Sequence, residues 1–211
     1  MKFKNKAMYW IIGVIGLVFL TWVVYGYLAV RSVEQLSYTV ESKENGYEIR
    51  NYPAHIRAQT KIEGNVASAS SKAFGIVAGY IFGDNQSQDK IAMTTPVIQK
   101  QSSEKIAMTT PVIQNESAGE FSFVIPSKYK LKDLPKPNDD RVELVEVPAK
   151  RVAALQFSGF FTAKRFKAKE ALLIERLERD DLAYGAISTV GYNPTLTPPF
   201  MSRLEVWAEL E

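Results

Sequence analysis

Hydrophobic positions along this chain follow three rhythms, and each predicts a different kind of element. From Ala7 to Val30 they run unbroken, AMYWIIGVIGLVFLTWVVYGYLAV, 24 residues without a charge. About 20 such residues cross a bilayer as a helix. A second rhythm is alternation. Lys90-Ile91-Ala92-Met93-Thr94-Thr95-Pro96-Val97-Ile98-Gln99 recurs letter for letter as Lys105–Gln114, five residues later. Ile91, Met93, Thr95 and Val97 fall on one side of each extended copy, Lys90, Ala92, Thr94 and Pro96 on the other. Period two predicts half-buried strands, and two copies joined by a short polar segment predict an antiparallel hairpin. Each proline removes a ladder donor, so pairing should break near Pro96 and Pro111. The third rhythm is helical. Phe74, Val77 and Ile81 share one face of a segment at 65–82, and Phe166, Leu173 and Leu177 share one at 162–179. Thr162 is the expected N-cap of the latter, and Gly83-Asp84-Asn85 the stop of the former.

Strands are predicted at 47–52, 54–62, 90–98, 121–126, 141–147, 150–157, 184–192 and 203–209. The order strand-strand-helix-strand-strand thus occurs twice. An offset of 95 residues aligns Glu48 with Glu143, Pro53-Ala54 with Pro148-Ala149, and Gly64 with Gly159. The expected fold is α+β: an N-terminal transmembrane helix, then an eight-stranded antiparallel β-barrel with two flanking helices. Its two ββαββ halves would be related by a pseudo-twofold axis. Residues 1–30 form the cytoplasmic N-terminus and anchor, 31–46 a linker, and 47–211 one domain. Residues 131–140 join the halves.

Charge sharpens the first element. Lys2, Lys4 and Lys6 precede the apolar run, while only Arg31 follows closely. This bias puts the N-terminus in the cytoplasm and the domain outside it, in the periplasm if the cell is Gram-negative. A cleaved signal peptide is the competing reading, but it wants a shorter apolar core and a small-residue cleavage site. Beyond residue 35 the chain holds 22 basic and 22 acidic residues. It has no cationic excess to neutralise phosphates, which argues against nucleic-acid binding.

The inventory of reactive groups is short. With no Cys and one His, disulfides, thiolate metal sites and multi-His sites are excluded. His55 shares the outer face of its strand with Arg57, Gln59 and Lys61. That favours a solvated surface histidine over a haem ligand or an acid–base residue. Asp139-Asp140 and Asp180-Asp181 sit at a turn and a helix end. No phosphate-cradling glycine loop or nucleophile elbow is present. No catalytic residue and no metal ligand is assigned, and an enzyme is not expected. Met93, Met108, Phe74, Tyr80, Phe82, Phe160, Phe161 and Trp207 offer soft or flat apolar surface for a planar ligand. Core packing accounts for most of them equally well.

Several spaced motifs resemble the SOUL haem-binding family. They are Ala73-Phe74, Tyr80-Ile81-Phe82-Gly83-Asp84-Asn85, the first copy of the repeated phrase, and Phe121-Ser122-Phe123-Val124-Ile125-Pro126. Val147-Pro148, Phe157-Ser158-Gly159, Tyr192-Asn193-Pro194, Thr197-Pro198-Pro199 and Arg203-Leu204-Glu205-Val206-Trp207 continue it to the C-terminus. Leu204 and Thr195 depart from the family's usual Asn and Pro. The resemblance implies an eight-stranded barrel of two similar halves, akin to bacterial effector-binding domains. It also implies non-covalent binding of haem or another tetrapyrrole in an apolar groove beside the first helix of the domain. Mapped here, that groove is Phe74, Val77, Ala78, Tyr80 and Ile81 with Met93 nearby, and Arg57 or Lys72 meeting propionates. The expected function is a non-catalytic haem carrier or buffer at the membrane surface. The alternative is a membrane-anchored interaction or effector-binding module that binds no haem. The protein partner, if any, is unknown.

Overall fold

The computed structural model describes residues 2–31, 33–62, 66–92, 94–101, 119–193 and 196–210. Helix α1 (Lys2–Arg31) contains the apolar run, and its segment Met8–Leu28 is long and apolar enough to cross a membrane. The remaining elements are β1 (Glu34–Gln35), β2 (Thr39–Lys43), β3 (Glu48–Tyr52), β4 (His55–Ile62), α2 (Val66–Ile81), β5 (Thr94–Thr95), β6 (Val97–Gln101) and β7 (Gly119–Val124). They continue with β8 (Glu143–Val147), β9 (Lys150–Phe157), α3 (Ala163–Arg179), β10 (Tyr184–Gly191) and β11 (Leu204–Leu210).

Nine strands form one sheet in the order β2-β3-β9-β11-β10-β6-β7-β4-β8, with antiparallel neighbours. This corrects the expected closed barrel. Among the described residues β2 and β8 are edges that do not pair with each other, so the sheet is open. The added strand comes from residues 39–43, inside the stretch expected to link anchor and domain. β1, from the same stretch, makes a separate parallel pair with β5.

The repeated phrase also folds differently from its alternation. Its first copy breaks at Pro96 into β5 and β6, as a residue without an N–H should make it. Both edges of β6 are taken, by β10 and by β7, so no edge of it is left for a hairpin with the second copy. That copy lies outside the described residues, as do Met93 and Met108.

The two helices cover one face of the sheet. α2 lies across β4 and β7, and α3 across β10 and β11. Val77 and Ile81 pack with Ala58, Ile62, Phe121 and Phe123 under α2. Leu173 and Leu177 pack with Ala153, Leu155, Val206 and Ala208 under α3. Gly83, at φ +111, ends α2 where a side chain would be strained. Asn85 then clamps the turn. Its side-chain amide donates to the carbonyls of Tyr80 and Asp89, and its oxygen accepts the Asp89 N–H. Thr162 does precede α3, but its side chain makes no capping bond.

The opposite face carries a third cluster of Tyr52, Ile98, Val152, Ala154, Val190, Tyr192 and Trp207. At its heart Glu205 is 0% exposed. Its Oε2 accepts from Arg50 (2.9 Å), Tyr192 (3.0 Å) and the Trp207 indole (2.7 Å), and its Oε1 from Arg203 (2.8 Å). Burial works against the Arg50 charge, but the Glu205 carboxylate beside it holds its pKa above the ordinary value. Replacing Glu205 by Ala takes the buried partner from Arg50 and leaves it the partly exposed Glu48 carboxylate at 2.9 Å, and breaking a buried pair costs up to about 3–5 kcal/mol. We predict a loss of that size in chemical unfolding of the detergent-solubilised chain. A change under about 1 kcal/mol would show that the network contributes little.

Candidate functional site

A concavity of about 1010 Å³ opens at one end of the sheet. Ala54, His55 and Ile56 bring the β3–β4 turn and the start of β4 to it. Val124, Ile125 and Pro126 come from the end of β7, Tyr129, Lys130, Leu131 and Lys132 from the following loop, and Leu36 and Thr94 from beside the β1–β5 pair. The wall is mostly apolar. Exposed Lys130 and Lys132 supply positive charge at the lining, and Glu34 and Glu146 negative charge. Glu34 is partly committed, since it accepts the Ser127 N–H at 3.0 Å. Thr94, from the repeated phrase, is 1% exposed, and among the described residues its hydroxyl has no hydrogen-bond partner.

His55 stands at this wall. β4 alternates as its sequence predicts, with Ala58 and Ile62 turned toward α2 and His55 and Arg57 toward the other face. That other face is not open water here, and both side chains are half-buried. His55 Nδ1 lies 2.8 Å from the Pro53 carbonyl, and Arg57 Nε donates to His55 Nε2 at 2.9 Å. Because Nε2 accepts, the proton belongs on Nδ1, donating to Pro53. Burial pushes the imidazole down to about 4, with the Arg57 and Lys150 charges adding to it and the Pro53 bond opposing. His55 is therefore neutral at pH 7, yet neither ring nitrogen is free. An axial bond to iron would require Arg57 to let go of Nε2. Burial also lowers the pKa of Arg57, opposed by Glu209 and Glu120, without removing its charge at neutral pH.

The side chains expected to line a groove beside α2 fall into two groups. Val77, Tyr80 and Ile81 are at most 1% exposed, and Ala78 is also buried. They face the core, and the Tyr80 hydroxyl is committed to the Pro135 carbonyl at 2.9 Å. Phe74 and Lys72 are exposed on the helix. Phe74, at 44% exposure, sets its ring edge-on to Phe121 and Phe123. Arg57 lies on the other side of the sheet from α2, and Met93 is outside the described residues. The structure therefore does not bring the seven described residues of this set together around one opening. Sequence reading missed the 124–132 wall. Its one available signal was Lys130 and Lys132 beside Tyr129 and Leu131, just past the β7 motif. Among the described residues no group of three or more His, Asp or Glu side chains is arranged to hold a metal.

The family model of the SOUL heme-binding protein matches residues 33–209, and the chain belongs to that family. No curated protein matches the chain. Among solved structures, the EcmrR C-terminal domain superposes with a TM-score of 0.57 at 12% identity, covering 82% of this chain and 98% of that one. An uncharacterized conserved protein from Listeria innocua gives 0.55 at 11% identity, covering 81% and 94%. A hydrolase from Listeria innocua gives 0.53 at 10% identity over the same shares. At such identities these likenesses speak to the fold alone.

The pKa of His55 makes a testable link to stability. In the unfolded chain a histidine titrates near 6.5, and folded His55 near 4. As pH falls from about 6.5 toward 4, the unfolded chain takes up a proton that the folded chain refuses, so stability falls over this window and is fully present above it. His55→Gln keeps an acceptor for Arg57 but cannot titrate. The difference in unfolding midpoint between wild type and this variant should shrink from pH 7 to pH 4.5. A difference independent of pH would refute the assignment.

Proposed function

We propose that this chain is a membrane-anchored, non-catalytic binder of haem or a related tetrapyrrole, acting as carrier or buffer. The observation that carries the reading is the cleft of about 1010 Å³ beside the Thr94 end of the family motif. Its size suits a planar macrocycle. Its apolar walls would take the ring, and Lys130 and Lys132 would meet propionates through charge-assisted bonds. Since both nitrogens of His55 are engaged, affinity would rest on apolar burial and these charges. The bound group would supply iron or tetrapyrrole chemistry, and the chain would hold it and limit its contact with water. A second reading seats the ring on the outer face of α2, which the exposed Phe74 ring and Lys72 favour. There a side chain added at Gly75 would meet nothing within 4 Å, so a flat ligand would have room to approach the helix.

We further infer that α1 anchors the chain with its N-terminus in the cytoplasm and its domain outside, by the Lys2, Lys4 and Lys6 bias. Descent from two related halves is supported by the strand order. From β3 to β8 it reads the same in both directions once the first, second, third and fourth strands of each half are exchanged.

The test is a hemin titration of the full chain in detergent, read at the Soret band. The reading predicts a saturable one-site shift. His55→Ala should leave the bound spectrum unchanged. The double change Lys130→Glu, Lys132→Glu should weaken affinity about tenfold or more, and Phe74→Ser should leave it intact. The reverse pattern moves the ring to α2. No saturable shift at all would sink haem binding and favour the interaction or effector-binding module.

A further inference from the structure

We propose that one end of the domain is itself embedded in the bilayer, alongside α1. This rests on the reading of α1 as a membrane span. The end consists of the 196–200 segment and the 160–161 turn. Outside α1, seven large apolar side chains among the described residues are strongly exposed. Four of them gather here: Phe160 at 66%, Phe161 at 63%, Leu196 at 66% and Phe200 at 60%. The two segments are joined, because the Gly159 N–H donates to Ser202 Oγ at 2.9 Å just past Phe200. Leaving such side chains in water is costly, and clustering them makes a patch that wants an apolar partner.

The partner is indicated by what the patch already touches. Phe200 stacks on Phe19 of α1 at 6.2 Å. The Trp22 indole donates to the Leu196 carbonyl at 2.6 Å. Pro198 lies so close to Gly26 that a side chain there would meet its Cδ at 2.7 Å. Positions 19, 22 and 26 share one helix face. The span runs over Met8–Leu28, and Phe19 lies nine residues inside its far end, or roughly 13 Å at 1.5 Å per residue. If the span occupies the bilayer, the Phe200 ring is at the depth of the acyl chains.

Several of the loop's polar groups suit that depth, although the buried Thr197 hydroxyl has no partner among the described residues. Buried backbone groups in lipid must be satisfied within the protein. Pro198 and Pro199 have no N–H to satisfy. The N–H groups of Met201 and Ser202 donate to the Pro198 and Pro199 carbonyls, and Trp22 fills the Leu196 carbonyl. Beside the patch, the first turns of α3 expose Lys164, Arg165 and Lys167. Apolar side chains followed by a basic stretch match the step from acyl chain to phosphate headgroup.

The chain has no cysteine, so single sites can be spin-labelled without background. Phe160→Cys and Phe200→Cys would be labelled in the full chain, reconstituted in phosphatidylethanolamine–phosphatidylglycerol vesicles. Collision of each label with oxygen and with a neutral nickel chelate would be compared. Leu17→Cys, on the opposite side of α1, is the lipid reference, and Lys132→Cys the water reference. We expect the oxygen-to-nickel ratio at 160 and 200 to match that at 17 and to exceed that at 132 several-fold. A water-like ratio at 160 and 200 with a lipid-like one at 17 overturns the proposal and leaves the anchor standing. A water-like ratio at 17 overturns both. Dipolar broadening between labels on neighbouring chains, with neither reagent gaining access, would mean a second copy covers the patch and would likewise overturn it.

Discussion

Glu205 is fully buried, and an ionised carboxylate taken from water costs several kcal/mol unless its oxygens are matched. Here they are matched by groups from three places in the fold. Arg50 comes from β3, Tyr192 from just past β10, and Arg203 and Trp207 from just before β11 and from its middle. β3 and β11 are not neighbours, since β9 lies between them. Two strand spacings amount to about 9–10 Å, which only a long side chain crosses, and β9 presents the small Ala154 on this face. The pairing therefore fixes where the N-terminal half of the sheet meets the C-terminal half. Tyr52 and Trp207 pack their rings 4.5 Å apart over it, and Arg203 lies 4.0 Å over the Tyr192 ring. Hydrophobic cover keeps the network dry, and dryness is what makes each of its bonds count.

With charge and aromatics buried on one face and helices on the other, neither face of the sheet itself is left open to a ligand. α2 and α3 spend their inward side chains on the sheet. What remains is the end of the sheet, where β4 and β7 run out past the cover of α2. There the β3–β4 turn, the segment after β7 and the β1–β5 pair leave a gap that no side chain of the described residues fills. The same argument explains His55. It is at the start of β4, near enough to the network face to lose water and near enough to Arg57 to give up its lone pair. It is chemically quiet for that reason, although its ring is neutral.

Much of the fold was legible because its elements are short and strictly periodic. The strand at 150–157 and the helices at 66–81 and 163–179 agree with expectation to within a residue. Leu173, Leu177, Val77 and Ile81 are buried as their spacing demands. Closure was not legible. Alternation says that a strand has two faces, not whether its sheet meets itself, and β2 arose in a polar stretch without alternating apolar residues. Alternation also misled within the repeated phrase. Ile91 precedes the strands, and Thr94 and Thr95 are both buried because β5 is held between β1 and the body of the sheet. For the candidate site, the tetrapyrrole class came from motif resemblance, not geometry. Periodicity placed Phe74, Val77 and Ile81 on one face, but a core face and a ligand face look alike in sequence. Only the exposure of Phe74 beside fully buried Val77 separates them.

The strand that follows α1 is a wall of the cleft. α1 ends at Arg31 and β1 begins at Glu34, so little chain is available to uncouple the helix from the domain. β1 pairs with β5, placing Glu34 opposite Thr94 and Gln35 opposite Thr95. The Leu36 N–H adds a bond to the Thr95 carbonyl at 2.9 Å. Gln35 in turn accepts from Arg203, which is bonded to Glu205. One continuous path of hydrogen bonds thus runs from β1, past the lining of the cleft, to the buried carboxylate at the centre of the sheet. Bonds of this kind tie the β1–β5 wall of the cleft to the buried network that joins the two halves of the sheet, so the lining on that side is set by the sheet and not by a free loop.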